Sequence, residues 1–204
     1  MSKMDPRVVK TLHRIDNSLL ENLKNHDFRK VTVDMLCRSA KINRSTFYKY
    51  YKDKYELLDS FLNRIMEEFN EATTTIGFIL ASPYTISRPE YLDDFRSTLD
   101  FIYERREIYK ILWKSSIDRP IYREMEDIIS QNLLNTQQIP ASASASEKKE
   151  IAIYNELYAR LFSVNFLTLV RWWLKNQPDI TREDVEKVMT GNVKKGLLAL
   201  KKQA

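Results

Sequence analysis

Residues 43–54 read NRSTFYKYYKDK and hold Arg44, Lys49, Lys52 and Lys54, the hydroxyls of Ser45, Thr46 and Tyr48, and the Asn43 amide. Asp53 is the one acid among them. Arginine offers a planar fork of donors and lysine a point charge, so the set is suited to holding phosphates and base edges. Cleaving bonds would need a converging acid, base or nucleophile. The chain has two histidines, His13 and His26, and one cysteine, Cys37. These form no Cys/His zinc pattern, and no glycine-rich phosphate loop occurs. Neither an enzyme nor a bound metal or cofactor is expected, and the chemistry indicated is binding to a polyanion.

The charge distribution agrees. Residues 1–58 carry 13 Lys/Arg against 7 Asp/Glu, which is +6, and residues 59–204 carry 20 against 21, which is −1. Between Met35 and Lys52 there are five basic residues and no acid. That asymmetry is the electrostatic footprint of a module that meets nucleic acid. With 3 Gly and 6 Pro in 204 residues, turn signals are too sparse for an all-β fold, and long helices are expected. A single cysteine fits a reducing compartment, the N-terminus has no apolar signal region, and the apolar run 161–174 is too short for a membrane span; a cytoplasmic protein is expected.

The elements that must position these groups follow from caps and periodicity. Asp5 and Pro6 open a helix over 6–25 with Val8, Leu12, Ile15, Leu19 and Leu23 on one face. Thr32 caps a short helix whose inner face is Val33, Leu36, Cys37 and Ala40. Asn43 caps another, running to about Tyr51. Asp53 and Glu56 form a capping box that opens a helix over 54–80. Helices are expected at 89–103, 105–115, 119–136 and 147–176, and a last one follows Thr181 with Val185, Val188, Val193, Leu197 and Leu200 inward. The segment IPASASAS, 139–146, reads as a surface loop of small residues.

Residues 32–51 are thus helix, tight turn, helix. Small Cys37 and Ala40 permit the crossing, Phe47 anchors the second helix, and Lys41 occupies a turn position that often needs positive φ. The stretch TVDMLCRSAKINRSTFYKYYKDKYELL resembles the DNA-binding region of the TetR family of transcriptional regulators. The matching features are Thr32, Leu36-Cys37-x-x-Ala40-x-Ile42, Thr46-Phe47-Tyr48-x-Tyr50-Tyr51, Lys54 and Leu57-Leu58. Cys37, Lys41 and Asn43 depart from the common Ala, Gly and Ser. The resemblance implies an all-α protein: an N-terminal three-helix helix-turn-helix domain, 1–53, and a C-terminal ligand-binding and dimerisation domain, 54–204, linked by the helix 54–80. It implies that Tyr48, Lys54 and Thr32 hold backbone phosphates. Arg44, Ser45, Thr46 and Lys49 would face the major groove, with Asn43 and Lys52 beside them and Arg44 suited to guanine.

The resemblance also implies a homodimer on a palindromic operator and a small effector, with an effector-responsive repressor as the expected role. A TetR-like coactivator acting through a protein partner is the alternative. The run LFSVNFLTLVRWWL suggests a helix buried all round, with Leu167 and Leu197 expected at a four-helix dimer interface. Tyr103, Tyr109, Trp113, Phe162, Asn165 and Phe166, with Tyr84 and Tyr91 as further aromatics, are the candidate ligand-binding residues, and the helix 54–80 is a candidate lever between ligand and DNA.

Overall fold

A computed structural model describes residues 5–76, 89–136 and 139–201, and for 89–91, 193–194 and 196–201 the backbone alone. The described residues are helical, without a strand. The helices are α1 (Pro6–Asn25), α2 (Val33–Ala40), α3 (Arg44–Phe47), α4 (Lys54–Thr73), α5 (Pro89–Glu104), α6 (Arg106–Leu112), α7 (Ile121–Asn135), α8 (Ala145–Lys175) and α9 (Arg182–Lys201), with a 3-10 turn at Phe28–Lys30 between α1 and α2.

The chain forms two compact units, and they do not divide it at 53/54. The first is Met1–Glu67 with Glu107–Ile121; the second is Glu68–Arg106 with Tyr122–Ala204. The start of α4 belongs with the first because Leu57, Leu58, Phe61, Leu62 and Ile65 are buried there, in register with the three- to four-residue apolar spacing. Residues 77–80 of the expected linking helix lie outside the described residues.

In the first unit, Asp5 accepts from the Arg7 amide and Thr32 accepts from Met35 N at 3.2 Å, so both predicted caps are made. Ile15 and Leu19 of α1, Leu36 of α2 and Phe47 of α3 are fully buried. Burial of a side chain such as Phe47 is worth about 1.5–3 kcal/mol, enough to seat a helix of only four residues. Lys41 ends α2 at φ 52°, ψ 50°, the left-handed conformation that the turn demands. For a residue with a Cβ that conformation costs about 1–2 kcal/mol. The Arg14 guanidinium holds this corner by donating to the Lys41 carbonyl at 2.5 Å.

In the second unit, Phe95, Leu99, Met125, Ile129, Phe166, Val170 and Trp173 form the core. The Trp173 indole donates to the Ile180 carbonyl at 3.0 Å, and Arg96 forks onto Glu186 at 2.8 and 2.9 Å, tying α5 to α9. Thr181 and Asp184 cap α9 reciprocally. The end of IPASASAS is not loop: Ser144 accepts from Glu147 N while Glu147 accepts from Ser144 N, a capping box that starts α8 at Ala145.

The expectation of an α8 buried all round is corrected. Phe162, Phe166, Leu167, Val170 and Trp173 are buried, but Ile153, Tyr154, Leu157, Leu161, Val164 and Trp172 are each 46–57% exposed. Among the described residues, the chain's own helices cover one side of α8 only. Leu167, expected at an interface, is fully buried within the chain; the Leu197 side chain lies outside the described residues.

Candidate nucleic-acid interface

The crowded aromatics of 43–54 have separate tasks. Phe47 is fully buried and meets Tyr48 edge-on at 5.5 Å and Tyr51 at 5.8 Å. Tyr51 is buried too, and burial pushes its phenol up while it bonds to Arg64. Tyr50 is half-buried, so of the three tyrosines Tyr48 alone stands out, 55% exposed.

Thr32, Asn43, Arg44, Ser45, Tyr48, Lys49 and Lys52 are exposed and Thr46 is half-buried. Eight of the nine expected residues therefore carry free surface. Asn43 holds the cap position by its backbone alone, since its side chain makes no capping bond. The regular part of α3 ends at Phe47, not Tyr51, and the chain continues in turns closed by Tyr50 N and Tyr51 N on the Phe47 carbonyl.

Lys54 is the exception. Its ammonium donates to the carbonyls of Phe28, Arg29 and Val31 at 2.9, 3.0 and 2.7 Å. An ammonium has three N–H groups, so all are engaged. Its charge also lies over the Phe28 and Tyr55 rings, at 4.8 and 5.2 Å. In this arrangement Lys54 locks the 3-10 turn to the start of α4 and has no donor left for a phosphate. Next to it Asp53 caps α4 by accepting from Tyr55 N and Glu56 N, while Glu56 reaches Lys52 N rather than Asp53 N.

Sequence reasoning missed Asp34. On the first turn of α2 it accepts from Arg44 Nη2 at 2.9 Å and forms an ion pair with Arg38 Nη2 at 2.6 Å. The signal available was one acid ten residues before Arg44, on the helix that α3 crosses. Cys37 is buried, and burial raises its thiol pKa, so it is a packing residue and no nucleophile.

Of the six candidate ligand residues, Tyr109 and Trp113 belong to the first unit, and Tyr103, Phe162, Asn165 and Phe166 to the second. Tyr109 and Trp113 stack at 5.7 Å in the first unit, with Tyr109 fully buried. Phe162 and Phe166 stack at 6.0 Å in the second, and Phe166 is fully buried. Asn165 is exposed and lines, with Phe162, a depression of about 150 Å³. Tyr103 stacks on Trp173 at 5.6 Å beside a cavity of about 300 Å³ that Gln177, Ile180 and Arg182 complete. Tyr84 and the Tyr91 side chain lie outside the described residues.

Residues 20–61 match the family model for bacterial regulatory proteins of the tetR family, and residues 90–195 match a model for the C-terminal region of transcriptional regulators. An uncharacterised HTH-type transcriptional regulator of Bacillus subtilis (strain 168), YxbF, is 21% identical over 176 residues, covering 84% of this chain and 42% of the relative. The chain thus spans about two fifths of the length of that curated relative. Among solved structures, a TetR-like transcriptional regulator from Rhodococcus sp. RHA1 aligns with TM-score 0.62 at 15% identity, over 97% of this chain and 99% of that one. The dihydroxyacetone kinase operon activator DhaS aligns with TM-score 0.51 at 18% identity, over 93% and 95%. These two structures share the fold.

Proposed function

The chain belongs to the TetR family of transcriptional regulators, and we propose that it is an effector-responsive repressor that binds a palindromic operator as a homodimer. The observation that carries the reading is the outer side of α2 and α3, where Thr32, Arg44, Ser45, Tyr48 and Lys49 are exposed around a buried Phe47. Arg44, Ser45, Thr46 and Lys49 read bases in the major groove; Tyr48, Thr32, Asn43 and Lys52 hold phosphates. Lys54 contributes by fixing the turn that seats the motif.

Dimerisation uses the uncovered stripe of α8. Ile153, Leu157, Leu161, Val164 and Trp172 recur at three, four or twice four residues, and Val188 of α9 is exposed as well. Apolar side chains in a continuous row are stabilised when a second copy covers them, and a self-complementary patch gives a two-fold pair. Two copies related in this way match a two-fold operator. The recess beside Tyr103 and Trp173 is the effector site we favour, because its aromatic wall faces the Asp100–Arg182 ion pair, closed at 2.6 Å, which a polar effector group can engage. An effector releases DNA only to the extent that it prefers the non-binding conformation. The family matches do not favour the coactivator alternative.

The test is a fluorescence titration of labelled duplex with the full chain. Arg44→Ala should weaken binding to a duplex selected by the unaltered chain from a randomised pool by about 1–3 kcal/mol and relax preference at one base pair. Unchanged affinity and preference would remove Arg44 from the reading surface.

A further inference from the structure

We propose that Asp34 is a positioning residue for sequence recognition: it holds the Arg44 guanidinium ready for a base edge, and so sets how sharply one base pair is discriminated. This rests on the reading of α2 and α3 as the DNA-facing surface.

The Asp34 carboxylate bridges two helices. Oδ1 accepts from Arg44 Nη2 at 2.9 Å and Oδ2 forms an ion pair with Arg38 Nη2 at 2.6 Å, so each oxygen has its own guanidinium. The Asp34 side chain is 34% exposed, against 65% for Arg44 and 80% for Arg38. The acid therefore sits behind and the guanidinium ahead of it. Of five N–H donors on Arg44, the bond to Asp34 occupies one, and a two-point contact to guanine needs two.

As a stabilising device the contact makes little sense, because exposed ion pairs contribute little. A carboxylate on a phosphate-facing surface also repels its partner, and no other acid occurs until Asp53. Positioning accounts for it. A free arginine gives up most of its rotamer freedom on docking, and one already held gives up less. A fixed fork matches one pattern of acceptors, whereas a loose one swings to neighbouring bases or phosphates.

The experiment begins with a duplex enriched by the unaltered full chain from a randomised pool. At each base pair, the affinity ratio of enriched to substituted duplex is measured for the unaltered chain, Asp34→Asn, Arg44→Ala and the double variant. Asp34→Asn should lower the ratio about fivefold at the position that Arg44→Ala relaxes, and at no other. It should also raise affinity for unrelated duplex, most at low salt, because a negative charge is gone. In the Arg44→Ala background it should change no ratio. Arg44→Lys, which keeps the charge and loses the fork, should lower the same ratio with Asp34 intact. An unchanged ratio in either single variant, a uniform fall at all positions, or a rise that marks Asp34 as holding Arg44 off the bases would each overturn the assignment. If the unaltered chain enriches no duplex, the DNA-binding reading fails and this assignment with it.

Discussion

Lys54 and Asp16 each have a role that residue type does not announce. Removing the Lys54 ammonium while keeping the stem, as in Lys54→Met, strips a donor from the carbonyls of Phe28, Arg29 and Val31. Unfolding in urea should then show a loss of about 1–3 kcal/mol. Full stability with weakened duplex binding would mean that the ammonium serves phosphate instead. Asp16 is mostly buried, and burial pushes its carboxyl above the ordinary range although Arg64 donates to it at 2.7 Å. A carboxyl raised in the folded chain keeps its proton at pH values where the unfolded chain has lost it. Its contribution to stability is therefore present at acidic pH and is lost as pH rises through the raised value. Asp16→Asn should remove this fall, which begins as pH rises through the ordinary carboxylate range; an unchanged stability–pH curve in the variant would exclude Asp16 as its source.

Helix positions were legible where a capping side chain coincides with the start of an apolar period, as at Asp5, Thr32, Asp53 and Thr181. The left-handed turn at Lys41 was legible from the helix-turn-helix spacing despite the absence of glycine. Three features were not. Ser144 looks like its repeat neighbours until Glu147 answers it. The Lys54 bonds reach back more than twenty residues, beyond any local pattern. The two sides of α8 are equally apolar in sequence, so periodicity could not say which side the subunit covers; packing decides it, leaving Leu161 and Val164 out and Leu167 in. The corrected face changes the interface test. Leu161→Glu or Val164→Glu places a charge on an exposed position, which an isolated subunit tolerates. Sedimentation should show folded monomer that has lost duplex binding. Intact dimers in both variants would place the interface elsewhere than the α8 stripe.

Over the whole molecule, the charge excess of +6 lies in residues 1–58, and residues 33–52, with five basic side chains against Asp34, carry +4 of it. Binding should therefore weaken linearly with the logarithm of salt concentration, with a slope of about 0.9 per phosphate neutralised. Positive charge alone would produce that dependence on any duplex. The central claim is narrower: two copies, paired through α8, present two α3 helices to one two-fold site. Selection of duplexes from a randomised pool by the full chain, followed by sequencing, tests it most directly. The account predicts enrichment of inverted half-sites at fixed spacing, with preference at one pair per half-site lost in Arg44→Ala. A pool that shows no inverted repeat, or the same repeat enriched undiminished by Arg44→Ala, would contradict it.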